Sequence, residues 1–365
     1  MKVLHVLHSL ERSGAEVMLT QAAPLFCERG VELHALATGK SVGLYAEQMV
    51  TAGFTVHHLP LESPVTHLVH FYRLLRRERF DVVHVHTERA FFWYELLARL
   101  AGVPRLVRTV HSVFDFRGPR WLERWVQRHL AKAVFAERAV APSASVQQAE
   151  KRIYGVDAIL IPNWTDSLKF SPAGRDGQRA TARTQLGIPP TSIVFISVGS
   201  CQAVKNHAAV IRALASIVVT CPDAHYLHVG SGELEASEQQ LVRDLGLVEE
   251  VTFAGQRDGM PELLQASDVF VMPSTREGFA VSCLEAMSSG LPVIATDAAG
   301  LRDLVVHGET GYLTQSEDDL ARDMAELYRD PRARLRLGHA SRARVLDEFS
   351  VEKSVASYLR LYRLC

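Results

Sequence analysis

Short β-rich apolar runs alternate with segments of helix length along the whole sequence, and this constrains the fold more than any other feature. A strand that is followed by a helix before the next strand joins its neighbour in parallel, so the alternation predicts an α/β fold with crossover helices on parallel sheets. In the first half the strand signals fall at 3–7, 32–37, 55–59, 81–86, 106–111 and 139–142. In the second half they fall at 158–161, 193–198, 225–229, 251–254, 269–272, 293–295 and 311–313. A chain of 365 residues exceeds the size at which one core stops growing, so two domains are expected. Pro162-Asn163 and the polar stretch 171–178 read as the connection. The expected division is 1–165, 166–345 and a final helical segment, 346–365, that folds back on the first domain.

Charge is nearly balanced, with 40 Lys+Arg against 41 Asp+Glu, so bulk electrostatics favour neither nucleic acid nor a membrane surface as partner. Cys27, Cys201, Cys221, Cys283 and Cys365 are widely spaced and form no C-x-x-C pair. That spacing argues against a disulfide framework or a zinc site and places the chain in the cytosol. The opening Met1-Lys2-Val3-Leu4-His5 is too polar for a signal peptide, and no run approaches the ~18 apolar residues of a spanning helix.

The most informative stretch is Ser274-Thr275-Arg276-Glu277-Gly278-Phe279-Ala280-Val281-Ser282-Cys283-Leu284-Glu285, directly after the apolar run Val269-Phe270-Val271-Met272. Glu277 and Gly278 therefore fall in a strand-to-helix turn at the carboxyl edge of a sheet, where open α/β sheets bind ligands. A helix starting near Phe279 offers free N–H groups and a positive dipole end to a diphosphate. Glu285 lies two turns further in among small and apolar neighbours, where a carboxylate needs donors; ribose or sugar hydroxyls are natural ones. A second run, Ile193 to Gly199 and Ser200, ends in glycine, and Lys205-Asn206 follow at the start of the next helix, the lysine placed to meet a phosphate as a point charge.

A third loop, Leu7-His8-Ser9-Leu10-Glu11-Arg12-Ser13-Gly14, carries only Gly14 where a dinucleotide fingerprint needs G-x-G-x-x-G, which disfavours nicotinamide or flavin. No D-x-D occurs, so metal-free neutralisation of a leaving diphosphate by Lys205 and helix dipoles is expected, with no metal and no cofactor. His84-x-His86 points two imidazoles to one strand face, but without an evident third ligand the expected reading is buried strand histidines. Gly230-Ser231-Gly232 reads as a tight turn.

In order and spacing these residues resemble the retaining glycosyltransferase family 4, of GT-B architecture with two facing Rossmann-like domains and a central cleft. The resemblance rests on Ser13-Gly14-Ala15-Glu16, His111, Ala141-Pro142-Ser143, Ile161-Pro162-Asn163, Gly199 with Lys205, Gly230-Ser231-Gly232-Glu233, Phe253-Ala254-Gly255, Ser267-Asp268-Val269 and Glu277-x7-Glu285. It implies metal-independent transfer of a sugar from a nucleotide-sugar donor to a glycan, lipid-linked or small-molecule acceptor. By resemblance, the second domain holds the donor. Lys205 would meet the diphosphate, with Gly199, Ser200 and Asn206 beside it; Glu277 and the amides of Gly278, Phe279, Ala280 and Val281 would surround sugar and phosphate, and Glu285 would hold the ribose. Gly14 would reach the diphosphate and His111 the sugar from the first domain, so that Glu277, Lys205 and His111 carry the chemistry. Ser200 stands where the family pattern has an arginine, with Arg276 or Asn206 as substitutes, and the later Gly-Gly…Glu element reads Ala299-Gly300…Asp303. Those departures leave a second expectation, a non-catalytic sugar-nucleotide-binding subunit.

The segment 117–132 reads as a basic amphipathic helix, with Trp121, Leu122, Trp125, Val126 and Leu130 in one stripe and Arg120, Arg124, Arg128 and Lys132 beside it. Its ordinary reading turns the stripe to the core and the arginines to water. The alternative is peripheral contact with an anionic membrane at its inner face.

Overall fold

The computed structural model describes residues 1–11, 13–61, 63–172, 176–257 and 259–363, with side chains 176–178 left out. Arg12, Cys365 and the centre of the polar connection, 173–175, lie outside the described residues. The chain forms two compact units, Met1–Trp164 with Val351–Cys365, and Thr165–Ser350.

In the first unit the strands are β1 (Lys2–Leu7), β2 (Glu32–Ala37), β3 (Thr55–His58), β4 (Val82–Val85), β5 (Arg105–Thr109), β6 (Arg138–Ala141) and β7 (Ile159–Leu160). They pair in parallel in the order β3-β2-β1-β4-β5-β6-β7. Its helices are α1 (Gly14–Glu28), α2 (Ala46–Thr51), α3 (Pro64–Glu78), α4 (Phe91–Leu100), α5 (Pro119–Phe135) and α6 (Ala144–Ala149), the last running into a π-helical turn, Glu150–Tyr154. The run at 158–161, counted above with the second half, belongs to this sheet because β7 pairs with β6.

The second unit contains α7 (Asp176–Gln185), β8 (Ile193–Val198), α8 (His207–Ile217), β9 (Ala224–Val229), α9 (Glu235–Asp244), β10 (Val251–Phe253), α10 (Met260–Gln265), β11 (Val269–Met272), α11 (Val281–Ser288), β12 (Val293–Thr296), β13 (Gly311–Thr314), α12 (Glu317–Arg329) and α13 (Pro331–Glu348). Its sheet is parallel throughout, in the order β10-β9-β8-β11-β12-β13. Every residue of β9 and β11 is buried, because helices cover both faces; a strand in that setting reads as an apolar run rather than an alternation.

The last helix, α14 (Val351–Arg363), packs on α1 within the first unit. Hydroxyls fix it there: Tyr362 lies 2.7 Å from His84 Nδ1 and Tyr358 3.2 Å from Thr109 Oγ1, both buried under the sheet.

Helix α5 inverts the ordinary reading of its sequence. Arg128 is fully buried, and its guanidinium meets both carboxylate oxygens of Glu150, at 2.9 and 3.1 Å, and Glu88 at 3.0 Å. Arg108 joins this group at 3.5 Å from Glu88 and 3.8 Å from Glu150, and adds Glu137 at 2.6 Å. With the inner face committed to ion pairs, the apolar stripe turns outward: Leu122 is 55%, Val126 39%, Leu130 42% and Val134 64% exposed. Substituting Arg128 by Ala leaves Glu150 buried without its partner and should lower the stability of the first unit by about 3–5 kcal/mol in denaturant unfolding. Leu122→Gln should change it by less than about 0.5 kcal/mol; a cost like that of a core leucine would refute the outward orientation.

Candidate functional site

In the second unit β8 is flanked by β9 and β11, so the chain winds away from β8 in opposite directions on its two sides. The loops after β8 and β11 consequently part at their carboxyl ends, the place where doubly wound sheets hold ligands. The loop after β8 carries Gly199, Ser200 and Lys205, and Asn206 turns into α8 with φ 53°. The loop after β11 carries Glu277 and Gly278 and enters α11 through Phe279 and Ala280. The helix begins at Val281, two residues later than its sequence suggests.

Folding brings together two residues that lie 72 positions apart: Lys205 Nζ donates to Glu277 Oε1 at 2.7 Å, both groups partly open to solvent. Thr275 N to Val204 O at 2.9 Å and Ser282 Oγ to Val198 O at 3.2 Å tie the same loops. Glu285 lies on α11 and is only 8% exposed. Phe279 and Ala280 are buried, Val281 and Ser200 half-buried, and Arg276 exposed. At the start of α11 the first amides lack helical acceptors and, with the helix dipole and Lys205, offer an anion a concentrated positive site.

Glycines make this approach possible. Gly300, with φ +82°, sits where a Cβ would lie 2.5 Å from the Glu277 carbonyl oxygen, and Glu277 N donates to Ala299 O at 3.3 Å. A Cβ on Gly230, at φ +144°, would lie 1.9 Å from the Gly199 carbonyl oxygen. In sequence Gly230 signalled only a tight turn and Gly300 only a weakened motif. Neither reading could reveal that each clears the way for a site loop from another strand.

In the first unit, Gly14 opens α1 directly after the β1 loop, behind an extended Ser13. His111 follows β5 and is half-buried. Its Nε2 lies 2.9 Å from His86 Nδ1, and His86 Nε2 lies 2.9 Å from His5 Nδ1. Burial lowers the pKa of His111 to about 4 and of His5 to about 3, and pushes His86 well down, so all three are neutral at pH 7. His111 can therefore offer a hydrogen bond but not a charge. A cavity of about 10 Å³, room for about one water, lies against His84, His86 and His111 under Trp164 and Tyr358.

The third ligand missing beside His84-x-His86 in sequence is supplied by the fold. Pairing of β1 with β4 sets His5 opposite His84, and nitrogens of His5, His84 and His86 lie within 4.8 Å of one another. Their geometry is nevertheless that of hydrogen bonding. Ring centres of His5 and His86 are 5.2 Å apart around a 2.9 Å nitrogen gap, so the two nitrogens face each other along the line of centres instead of converging on a common point. Both nitrogens of His84 meet hydroxyls, Tyr362 at 2.7 Å and Thr109 at 2.8 Å. In the second unit Cys201, in the loop after β8, forms another buried trio within the same span with His228 and Glu238.

Residues 178–344 match the family described as glycosyl transferases group 1, and residues 12–167 match glycosyltransferase family 4. The chain is 31% identical to the UDP-Gal:alpha-D-GlcNAc-diphosphoundecaprenol alpha-1,3-galactosyltransferase of Escherichia coli, over 75% of this chain and 73% of that one. It is 26% identical to the N-acetyl-alpha-D-glucosaminyl L-malate synthase of Bacillus anthracis, over 96% of this chain and 93% of that protein. Among solved structures, Anabaena HepE in complex with UDP and glucose superposes with a TM-score of 0.87 at 21% identity, each chain covered to 100%.

Replacing Gly300 by Ala forces a methyl into the Glu277 carbonyl at a backbone angle that L residues avoid, costing about 1–3 kcal/mol. Its measurable mark is a lower melting temperature together with a Glu277 loop that no longer pairs with Lys205. A G300A variant with wild-type melting and an intact pair would contradict the close approach.

Proposed function

The chain belongs to the group 1 and family 4 glycosyltransferases, and on that premise we propose that it transfers a sugar from a nucleoside-diphosphate sugar to its acceptor without a metal and with retention of anomeric configuration. The observation that carries this reading is the Lys205–Glu277 pair, 2.7 Å long, at the switch point of the second sheet and next to the amides of α11. Lysine has three N–H donors, so Lys205 keeps Glu277 in place while donating to a diphosphate oxygen. Glu277 then accepts from sugar hydroxyls, Glu285 accepts from the ribose, and Gly278, Phe279, Ala280 and Val281 supply backbone amides. Gly199, Ser200 and Asn206 border the diphosphate, and Gly14 and His111 serve substrate from the first unit.

Such a cradle stabilises charge that grows on the leaving diphosphate as the anomeric carbon–oxygen bond breaks, which supplies most of the catalysis this reaction needs. The acceptor oxygen bonds to the same face of that carbon, and its proton passes to the departing phosphate oxygen. No protein base is required.

The test is thermal stabilisation of the purified protein by UDP-, GDP-, ADP- and TDP-sugars in EDTA, with Lys205→Ala and Glu285→Ala alongside. One donor class at about a hundred times its Kd should stabilise by about 2.7 kcal/mol. Both variants should lose the response, and donor turnover by the purified chain should follow. Binding without turnover would favour the non-catalytic sugar-nucleotide-binding subunit; binding only with added divalent metal would overturn the metal-free reading.

The outward stripe on α5 favours peripheral contact with a membrane, and with it a lipid-linked acceptor. Among the described residues no helix is long and apolar enough to cross a membrane, but Leu122, Val126, Leu130 and Val134 are exposed together, with Arg117, Arg120 and Lys132 exposed on the same helix or just before it. An interfacial helix of that composition binds anionic lipid through its apolar face and its cations together. The Escherichia coli relative is named for a diphosphoundecaprenol-linked acceptor, which fits. Because Arg128 is buried in ion pairs, charge reversal there would test folding, not lipid binding. Leu122→Gln with Val126→Gln and Leu130→Gln should weaken binding to phosphatidylglycerol vesicles more than about tenfold while sparing donor binding. Unchanged vesicle binding would return the chain to a water-soluble acceptor.

A further inference from the structure

His5, His86 and His111 stand in series from β1 through the end of β4 to the loop after β5, joined by nitrogen–nitrogen contacts of 2.9 Å each. Ring centres are 5.2 Å apart at both steps, so each contact is linear and each shares a single proton. A neutral imidazole has one N–H and one bare nitrogen, so once one ring is oriented the whole series is. Only two arrangements exist. In one, His5 carries its proton on Nε2 and His111 presents a bare Nδ1; in the other, His5 Nε2 is bare and His111 presents Nδ1–H.

The two ends differ physically. His5 Nε2 is buried and has no hydrogen-bond partner among the described residues. A proton there would strand a donor away from water, and orphaned buried N–H groups are rarer than under-satisfied acceptors. At the other end His111 is half-buried, and its Nδ1 is not among the buried polar atoms left without a partner. Hence the series runs His5 Nδ1–H to His86 Nε2, then His86 Nδ1–H to His111 Nε2. We propose that His5 and His86 are positioning residues that lock His111 as the Nδ1–H tautomer, making it a fixed hydrogen-bond donor to a substrate hydroxyl oxygen.

This assignment deepens the reading in which His111 meets the sugar, and it rests on that reading only for the identity of the acceptor oxygen. A donor serves a hydroxyl oxygen that is itself free to donate elsewhere, whereas a bare nitrogen would demand the hydroxyl's proton. Wrong-tautomer replacements at a catalytic histidine are known to cost far more than the lost contact. His84, although its ring centre lies 4.0 Å from that of His86, is excluded from the series because both its nitrogens are taken by Tyr362 and Thr109.

The experiment is long-range ¹⁵N–¹H correlation on the full chain labelled with ¹⁵N-histidine, at pH 7, with His111 assigned from the signals lost in His111→Gln. The wild-type protein should show His111 Nδ1 protonated and Nε2 bare. His86→Leu should release His111 toward the Nε2–H form favoured in water, and lower kcat about tenfold with little change in donor KM. His86→Asn, whose amide nitrogen takes the place of Nδ1, should restore both the tautomer and most of kcat. A protonated Nε2 on wild-type His111 overturns the proposal, even if His86→Leu fails to fold. An Nδ1–H tautomer that persists unchanged in folded His86→Leu overturns the role of His86. A correct tautomer with undiminished turnover in His111→Gln leaves the series standing and sinks instead the reading that His111 meets substrate.

Discussion

The chemistry of the second unit depends on how closely loops from different strands approach one another at the carboxyl edge of its sheet. Gly230 lets the β9 loop lie against the Gly199 carbonyl, and Gly300 lets the β12 loop lie against that of Glu277. A side chain at either place would push apart the turns that hold Lys205 and Glu277 at hydrogen-bond distance. The charged pair is therefore a product of backbone packing, made possible by glycines that lie outside the pair itself. Without that approach, Lys205 is one more solvated lysine and Glu277 one more loop acid.

The first unit faces a different problem, that of holding charged and polar groups in its interior. Arg128 and Arg108 are placed inside with Glu150, Glu88 and Glu137 around them, and this forces the apolar stripe of α5 outward. A row of histidines across β1, the end of β4 and the loop after β5 is held by pairing rings in series and by a tyrosine hydroxyl of α14. In both cases an internal polar arrangement determines what the surface presents: an apolar helix face in one, an oriented imidazole in the other. The last helix thus does more than close the unit, since Tyr362 and Tyr358 add hydroxyls beside that of Thr109 in the sheet.

Each strand read from the sequence is found within a residue or two, because a parallel sheet buried on both faces leaves its mark as contiguous apolar runs that local inspection detects. The strand-to-helix turn at Glu277 was legible for the same reason: it follows such a run directly. The expected boundary at 165 already keeps 158–161 with the first domain, but a two-residue strand carries almost no pattern, and its place in the sheet is decided by which neighbour it pairs with. The orientation of α5 is not legible in the sequence, because helical periodicity marks a stripe without stating which side faces inward, and Arg128 finds carboxylates that are distant in sequence.

By itself, then, the sequence determined the α/β class, the succession of strands and helices along the chain, and the residue types in the strand-to-helix turns of the second unit. These follow from local composition and periodicity, which each segment carries within itself. Tertiary structure alone decided that Lys205 pairs with Glu277, that Gly230 and Gly300 stand guard over that contact, that the apolar face of α5 looks outward, and that His5 and His86 stand behind His111. Each of these is a relation between segments brought together by strand order, and a one-dimensional pattern does not record which residues a parallel crossover will set side by side.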